Sequence, residues 1–284
     1  MTNKTILRFF GGVLSCAGIA YVVLRLSDYA SDITLDHVGV YGLIGLIFCI
    51  FVYACSNVFL AIAWNKLLLH FKQKTNTKWA IKTFGISQIA KYVPGNVVHI
   101  AGRHAMGSAD GLSNSALLKS AMWELILLAL SGGVFALLIL PLLTDAISTF
   151  LAVVLFCFTI CICSVLLRHV FSKYFCTSFL LYLLFMVSAG ILFVLQVSIV
   201  GSESLNLSSL YIIAPSFIVA WLIGFLTPGA PAGVGVRELV LLSLLNGIIP
   251  APELLLTVVI ARSVTALGDL CYFLVALKIK SDTL

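Results

Sequence analysis

Long apolar runs separated by short polar clusters dominate the chain, and their lengths set the first reading. A helix needs about 20 apolar residues to cross the hydrocarbon core of a bilayer. Six stretches meet that length: residues 6–26, 38–65, 113–141, 146–167, 174–200 and 254–278. Two further apolar segments, 80–110 and 210–250, are long enough to enter the membrane but are interrupted. Pro94 and Gly95 break the first within AKYVPGNVVHIAGR, and Pro228, Gly229, Pro231, Gly233 and Gly235 break the second within LTPGAPAGVGVRE. Proline lacks a backbone donor and its ring clashes with the preceding turn, so no continuous helix runs through either segment. Broken backbone at membrane depth persists only where protein buries it or where it lines a polar cavity. Each segment therefore reads as a pair of half-helices that enters and returns, and each is a site candidate.

Composition supports this reading and removes alternatives. Hydrophobic residues make up 61% of the 284 and charged residues only 10%, with a mean hydropathy of +1.14, far from the values of soluble domains. The expected fold class is an all-α polytopic membrane protein, a single transmembrane domain over 1–284. The most polar stretch, near Lys66 to Lys82, is too short for a soluble domain. The eight cysteines are mostly scattered through apolar runs and read as small packing or lipid-facing residues rather than disulfides or metal ligands. The apolar run that follows Lys4 and Arg8 has a faint lipobox look before Cys16. It continues to Leu24, longer than a signal core, and so reads as the first span.

Charge sets the orientation, because Lys and Arg accumulate on the cytoplasmic side. The loop after the first span carries Arg25 against Asp28, Asp32 and Asp36, whereas the loop after the second carries Lys66, Lys72, Lys74, Lys78 and Lys82. Asp145 and Glu203 then fall outside, and Arg168, Lys173, Lys278 and Lys280 inside. Six crossings place both termini in the cytoplasm. Residues 1–141, with the broken pair 80–110, and residues 142–284, with the broken pair 210–250, each cross an odd number of times. The second half is thus expected to repeat the first in inverted form, with the two broken tips meeting at mid-membrane. Pro94 to Arg103 and Pro228 to Arg237 have the same spacing. Interrupted segments at corresponding places in two halves point to a transport site.

Charges within these segments narrow the chemistry. Five cations (Lys91, Arg103, Lys119, Arg237, Arg262) face three acids (Glu124, Glu238, Asp269). Each buried charge costs at least about 2.5 kcal/mol without a partner, and the cationic excess suggests an anionic guest such as a phosphate. Arg103 and Arg237 each follow a Pro-Gly break near the start of a half-helix, where free backbone N–H groups also favour an anion. An arginine fork holds two phosphate oxygens at once. Asn96, His99 and Arg103 share one helical face. Glu124 is a candidate partner for an embedded arginine, and Glu238 for balancing charge in an empty site. Arg262 and Asp269, seven apart on the last span, read as a structural pair. Lys91 and Lys119 are placed to snorkel to the cytoplasmic surface.

No Walker A loop, HExxH, paired CxxC or Gly-x-Ser-x-Gly elbow is present. No catalytic residue, metal site or cofactor is therefore expected, and no nucleic-acid partner.

The motifs Lys91-Tyr92-Val93-Pro94-Gly95 with Arg103, Glu124, and Pro231-Ala232-Gly233-Val234-Gly235-Val236-Arg237-Glu238 carry a resemblance. The chain resembles the transmembrane flippase region of bacterial lysylphosphatidylglycerol synthases, as a stand-alone member without the synthase domain. Ala232 and Val234 depart from the family's Pro-Gly-Gly-Leu-Gly-Val-Arg-Glu. The resemblance implies a protein of the bacterial cytoplasmic (inner) membrane that moves a lipid headgroup between leaflets. The expected partners are a phospholipid or a polyprenyl-phosphate-linked lipid, in a membrane that a homo-oligomer could also occupy. The expected function is a lipid flippase or transporter. The alternatives are an integral membrane transferase using a lipid-phosphate donor and a small-anion transporter.

Overall fold

The apolar runs fold as helices. In a computed structural model, which describes residues 39–92, 98–201, 207–227 and 235–280, every regular element among the described residues is helical. In chain order they are α1 (Gly39–His70), α2 (Thr77–Gln88), α3 (Val98–Ala109), α4 (Asn114–Val134), α5 (Leu140–Leu143), α6 (Thr149–Leu166), α7 (Lys173–Val200), α8 (Leu207–Leu226), α9 (Val236–Leu245) and α10 (Ala251–Lys278). Among the described residues, five helical stretches are long and apolar enough to cross a membrane: Gly39–His70, Asn114–Leu143, Thr149–Phe171, Lys173–Val200 and Ala251–Lys278. They coincide with five of the six expected spans and mark a multi-pass membrane protein. The expected span 6–26 lies outside the described residues. Helix α6 buries only Ala152. An apolar helix with so little of itself buried has lipid as its natural surroundings.

Local sequence explains the irregularities. The stretch Asn114–Leu143 tightens to a 3-10 turn at Phe135–Ile139 before α5 begins. Pro141 cannot donate the helical hydrogen bond to Leu137, so the backbone ahead of it uses shorter bonds. Helix α8 carries Pro215 in its interior, a residue that membrane helices accommodate. Helix α2 starts cleanly because the Asn76 side chain accepts a hydrogen bond from the Trp79 N–H at 2.7 Å.

Contacts divide the chain into two compact units, and the division falls inside α1, α7 and α10. The first unit holds described residues 39–53, Tyr92, 189–201, 207–227 and 235–268; the second holds 54–91, 98–188 and 269–280. Each draws residues from both sequence halves.

In the second unit, α2 and α3 pack on each other as the two arms of a hairpin. The Trp79 Nε1–H donates to Asp110 Oδ2 at 2.6 Å, tying the start of α2 to the end of α3 and making the arms antiparallel. Trp79 stacks on Trp64 with ring centroids 5.5 Å apart, and the Trp64 Nε1–H donates to Ser120 Oγ on α4. Gly85 of α2 lets α10 approach closely, because a Cβ there would sit 2.5 Å from that of Ala276.

In the first unit, α8 and α9 form the corresponding hairpin. Helix α7 meets α8 at Gly190, where a Cβ would lie 3.1 Å from Ala214 and Ile218; small residues allow such approaches between membrane helices. Phe193 and Phe217 stack with centroids 4.3 Å apart beside this contact. Both interrupted segments therefore fold as packed helix pairs, as their proline and glycine content predicts. The tip residues Pro94, Gly95, Pro228, Gly229, Pro231 and Gly233 lie outside the described residues.

Candidate anion site

Among the described residues, three ion pairs organise the buried charges. In the second unit, Arg103 on α3 donates through both terminal nitrogens to Glu124 on α4, Nη1 to Oε2 at 2.9 Å and Nη2 to Oε1 at 3.0 Å. Both side chains are buried. The guanidinium also lies over the Phe84 ring at 4.2 Å and the Trp64 ring at 5.2 Å. Two parallel bonds and two aromatic faces commit this arginine on every side. The expected pairing of Glu124 with an embedded arginine is the one seen.

Lys91 and Asp269 form the second pair, with Nζ and Oδ2 2.5 Å apart. Asp269 is fully buried and also accepts from Asn57 Nδ2 at 3.4 Å. This differs from two expectations: Lys91 does not simply snorkel, and Asp269 does not pair with Arg262. Seven residues along a helix span about 10.5 Å, too far for direct contact, whereas a neighbouring element lies within reach. Lys119 is exposed.

The third pair lies in the first unit, where Arg262 Nε on α10 donates to Glu238 Oε1 on α9 at 2.6 Å. Glu238 Oε2 accepts from the Gly235 N–H, also at 2.6 Å. Gly235 adopts φ 87 and ψ −51 immediately before α9, a conformation that side chains disfavour. The glycine thus turns the chain into the helix, and Glu238 at the third helical position reaches back to hold it.

Arg237 stands apart. It is 6% exposed, and its guanidinium lies 4.3 Å from the centroid of the Phe217 ring. Among the described residues it makes no ion pair and donates no hydrogen bond to a side chain. Its sequence neighbour Glu238 attracts it across the cleft but makes no direct ion pair with it, because consecutive helical residues point about 100° apart and the carboxylate is held by Arg262 and the Gly235 N–H. Arg237 also sits in the first turn of α9, where the helix dipole adds positive potential, and Gly235 offers no side chain to accept from the first N–H groups. A narrow cleft is lined by Arg237, Glu238 and Arg262 together with Phe193, Phe217 and Leu241.

Of the sequence-derived site residues, Arg103 and Glu124 come together in one unit, and Arg237, Glu238 and Gly235 in the other. His99 is half-buried on α3 in the second unit, with its Nδ1 lacking a hydrogen-bond partner among the described residues. Asn96 lies outside the described residues. Phe217 and Phe193 were not visible as site residues, because nothing separates them from other aromatics in apolar runs. Among the described residues no cluster of three or more His, Cys, Asp or Glu side chains is placed to hold a metal ion. Comparisons with known protein families, curated proteins and solved structures find no match for this chain.

Proposed function

We propose that the chain is a lipid transporter of the bacterial inner membrane that binds a phosphate-bearing headgroup at Arg237 and passes it between leaflets. The observation that carries this reading is the buried Arg237, which makes no ion pair among the described residues, whereas Glu124, Glu238 and Asp269 are each held by another cation. A buried charge without a direct ion-pair partner is unfavourable. A phosphate supplies the missing negative charge and presents two oxygens to the guanidinium fork, while the first-turn N–H groups of α9 add further donors.

The motif around Arg237 belongs to the resemblance to lysylphosphatidylglycerol flippases, which supports a lipid over a soluble anion. Acyl or prenyl tails would remain in the bilayer while the headgroup phosphate is held at Arg237. Arg103 and Glu124 enter this reading as the anchor of the first hairpin, because both terminal nitrogens of the arginine are engaged. The inverted-repeat arrangement, with re-entrant pairs and cytoplasmic termini, supplies the alternating access that transport requires.

Reconstitution into liposomes tests the reading. Headgroup-labelled phospholipid in the inner leaflet should become accessible to an external quencher faster with the wild-type protein than in protein-free vesicles, and Arg237→Gln should abolish most of the gain. Flux of phosphate or chloride without lipid movement would favour a small-anion transporter. Chemical conversion of a labelled lipid-phosphate donor would favour a transferase.

A further inference from the structure

We propose that the lysine-rich end of the second unit is a binding surface for the anionic phospholipid headgroups of the leaflet it faces. This surface is separate from Arg237 and does not rest on the transport reading. Contacts within the unit bring several helix ends together. His70, the last residue of α1, shares a 2.8 Å hydrogen bond with Ser172, just before α7. The Ser113 N–H, just before α4, donates at 3.0 Å to Gln73 in the loop after α1, and Trp79 at the start of α2 bonds Asp110, next to the end of α3. Helix α10 runs antiparallel to α2, since a Cβ on Gly85 would meet that of Ala276 while Lys91, beyond the end of α2, meets Asp269. Lys278 therefore lies at this end too. Lys72, Lys74 and Lys78 are exposed on and after the loop. Among the described residues none of the exposed cations here makes an ion pair, and the carboxylate at this end, Asp110, accepts from Trp79.

Four further cations stand where lipid-facing stripes end. At helical spacing, exposed Met122 leads to Lys119 on α4, Val165 to Arg168 just past α6, Leu180 to Lys173 on α7 and Leu274 to Lys278 on α10. A soluble partner would meet the loop lysines, whereas these four lie beside acyl chains, at the level of headgroups. Local structure does not call for positive charge at several of these places. Lys78 and Lys173 sit in the first turns of α2 and α7, against the positive end of the helix dipole, and neither first turn holds an acid. Lys72 closes α1 at φ 58, a conformation for which glycine is the ordinary choice. Lysines anywhere in the connection would satisfy orientation by charge. Headgroup phosphates supply the compensation that these particular positions lack.

Fluorescence quenching tests this on the full chain carrying Trp221→Phe, reconstituted in mixed vesicles of phosphatidylglycerol and phosphatidylcholine with one lipid at a time brominated in its acyl chains. Trp123 reports lipid at this end, because it is half-buried against Phe171 and Phe175 while Trp64 and Trp79 are buried. Phosphatidylglycerol should associate about fivefold or more tightly than phosphatidylcholine, and the ratio should fall toward one at high salt. Arg168→Gln with Lys173→Gln should remove most of the preference. Lys72→Gln with Lys74→Gln and Lys78→Gln should remove a smaller part, since the loop acts from farther away. Should a variant fail to fold, the salt series on the parent chain decides alone.

Equal quenching by the two lipids in the parent chain, a preference indifferent to salt, or a preference intact in both sets of variants would overturn the proposal. So would tight binding of a single-stranded oligonucleotide in vesicles of phosphatidylcholine, with no preference between lipids, which would give the surface to a soluble polyanion.

Discussion

Arg262 and Glu238, 24 residues apart in sequence, meet at 2.6 Å between α10 and α9, and this contact decides what Arg237 lacks. Held by Arg262 on one side and by the Gly235 N–H on the other, the carboxylate makes no direct ion pair with its sequence neighbour. The result is a guanidinium buried against Phe217 at the positive end of a helix.

Replacing Arg237 separates a ligand site from a scaffold. Arg237→Gln should lower lipid binding and translocation about 10- to 100-fold, since hydrogen bonds to charged groups contribute about 1.5–3 kcal/mol. Arg237→Lys keeps the charge without the fork and should fall between the two. Thermal unfolding in detergent should show no loss of stability for Arg237→Gln, because a buried charge without a direct ion-pair partner is being removed. A lowered midpoint would assign Arg237 to the scaffold.

Arg103 and Glu124 should behave in the opposite way. Removing either partner strands a charge among Trp64 and Phe84, and Glu124→Ala should cost about 3–5 kcal/mol in equilibrium unfolding. The double change Arg103→Met with Glu124→Leu should recover most of that loss. A double variant less stable than either single one would refute the assignment.

The Lys91–Asp269 pair predicts an asymmetry. Lys91 is 18% exposed and Asp269 fully buried. Lys91→Met leaves a carboxylate with no route to water, so it should destabilise more than Asp269→Asn, which leaves a lysine able to reach solvent. A double-mutant cycle should give a coupling of about 1–3 kcal/mol. Equal losses in the two single variants would argue that both ends reach water alike.

Two glycines should fail for different reasons. Gly235→Ala forces a side chain into φ 87, a strain of about 1–3 kcal/mol. It should also displace Arg237 and Glu238, weakening lipid binding in protein that still folds. Gly85→Ala brings a Cβ to 2.5 Å from that of Ala276 and should lower stability by about 1–3 kcal/mol with binding retained. Unfolding and binding measured on the same samples distinguish the two.

The helical architecture was legible because run length and hydropathy report burial in lipid directly. Five expected spans appear where apolar runs reach crossing length, and the helix pairs appear where Pro94, Gly95, Pro228 and Pro231 interrupt them. The pairing of Glu124 with Arg103 was legible because few charges are available at those depths. The partners of Arg262 and Asp269 were not. Periodicity says which residues share a helical face, while an ion pair depends on which neighbouring helix supplies the nearer opposite charge. Phe217 was hidden for a similar reason: its role comes from standing under Arg237, and a run of apolar residues does not reveal what lies above each ring.

The account turns on a lipid phosphate at the Arg237 guanidinium, and solid-state NMR can measure that contact. With nitrogen-15-labelled arginine and phosphatidylglycerol as the phosphorus source, dipolar dephasing should report a nitrogen–phosphorus separation of about 4 Å, the value set by direct N–H···O bonding. The account predicts that this signal disappears in Arg237→Lys and persists in Arg103→Lys. A signal unchanged in Arg237→Lys, or none in the wild type at saturating lipid, would contradict it.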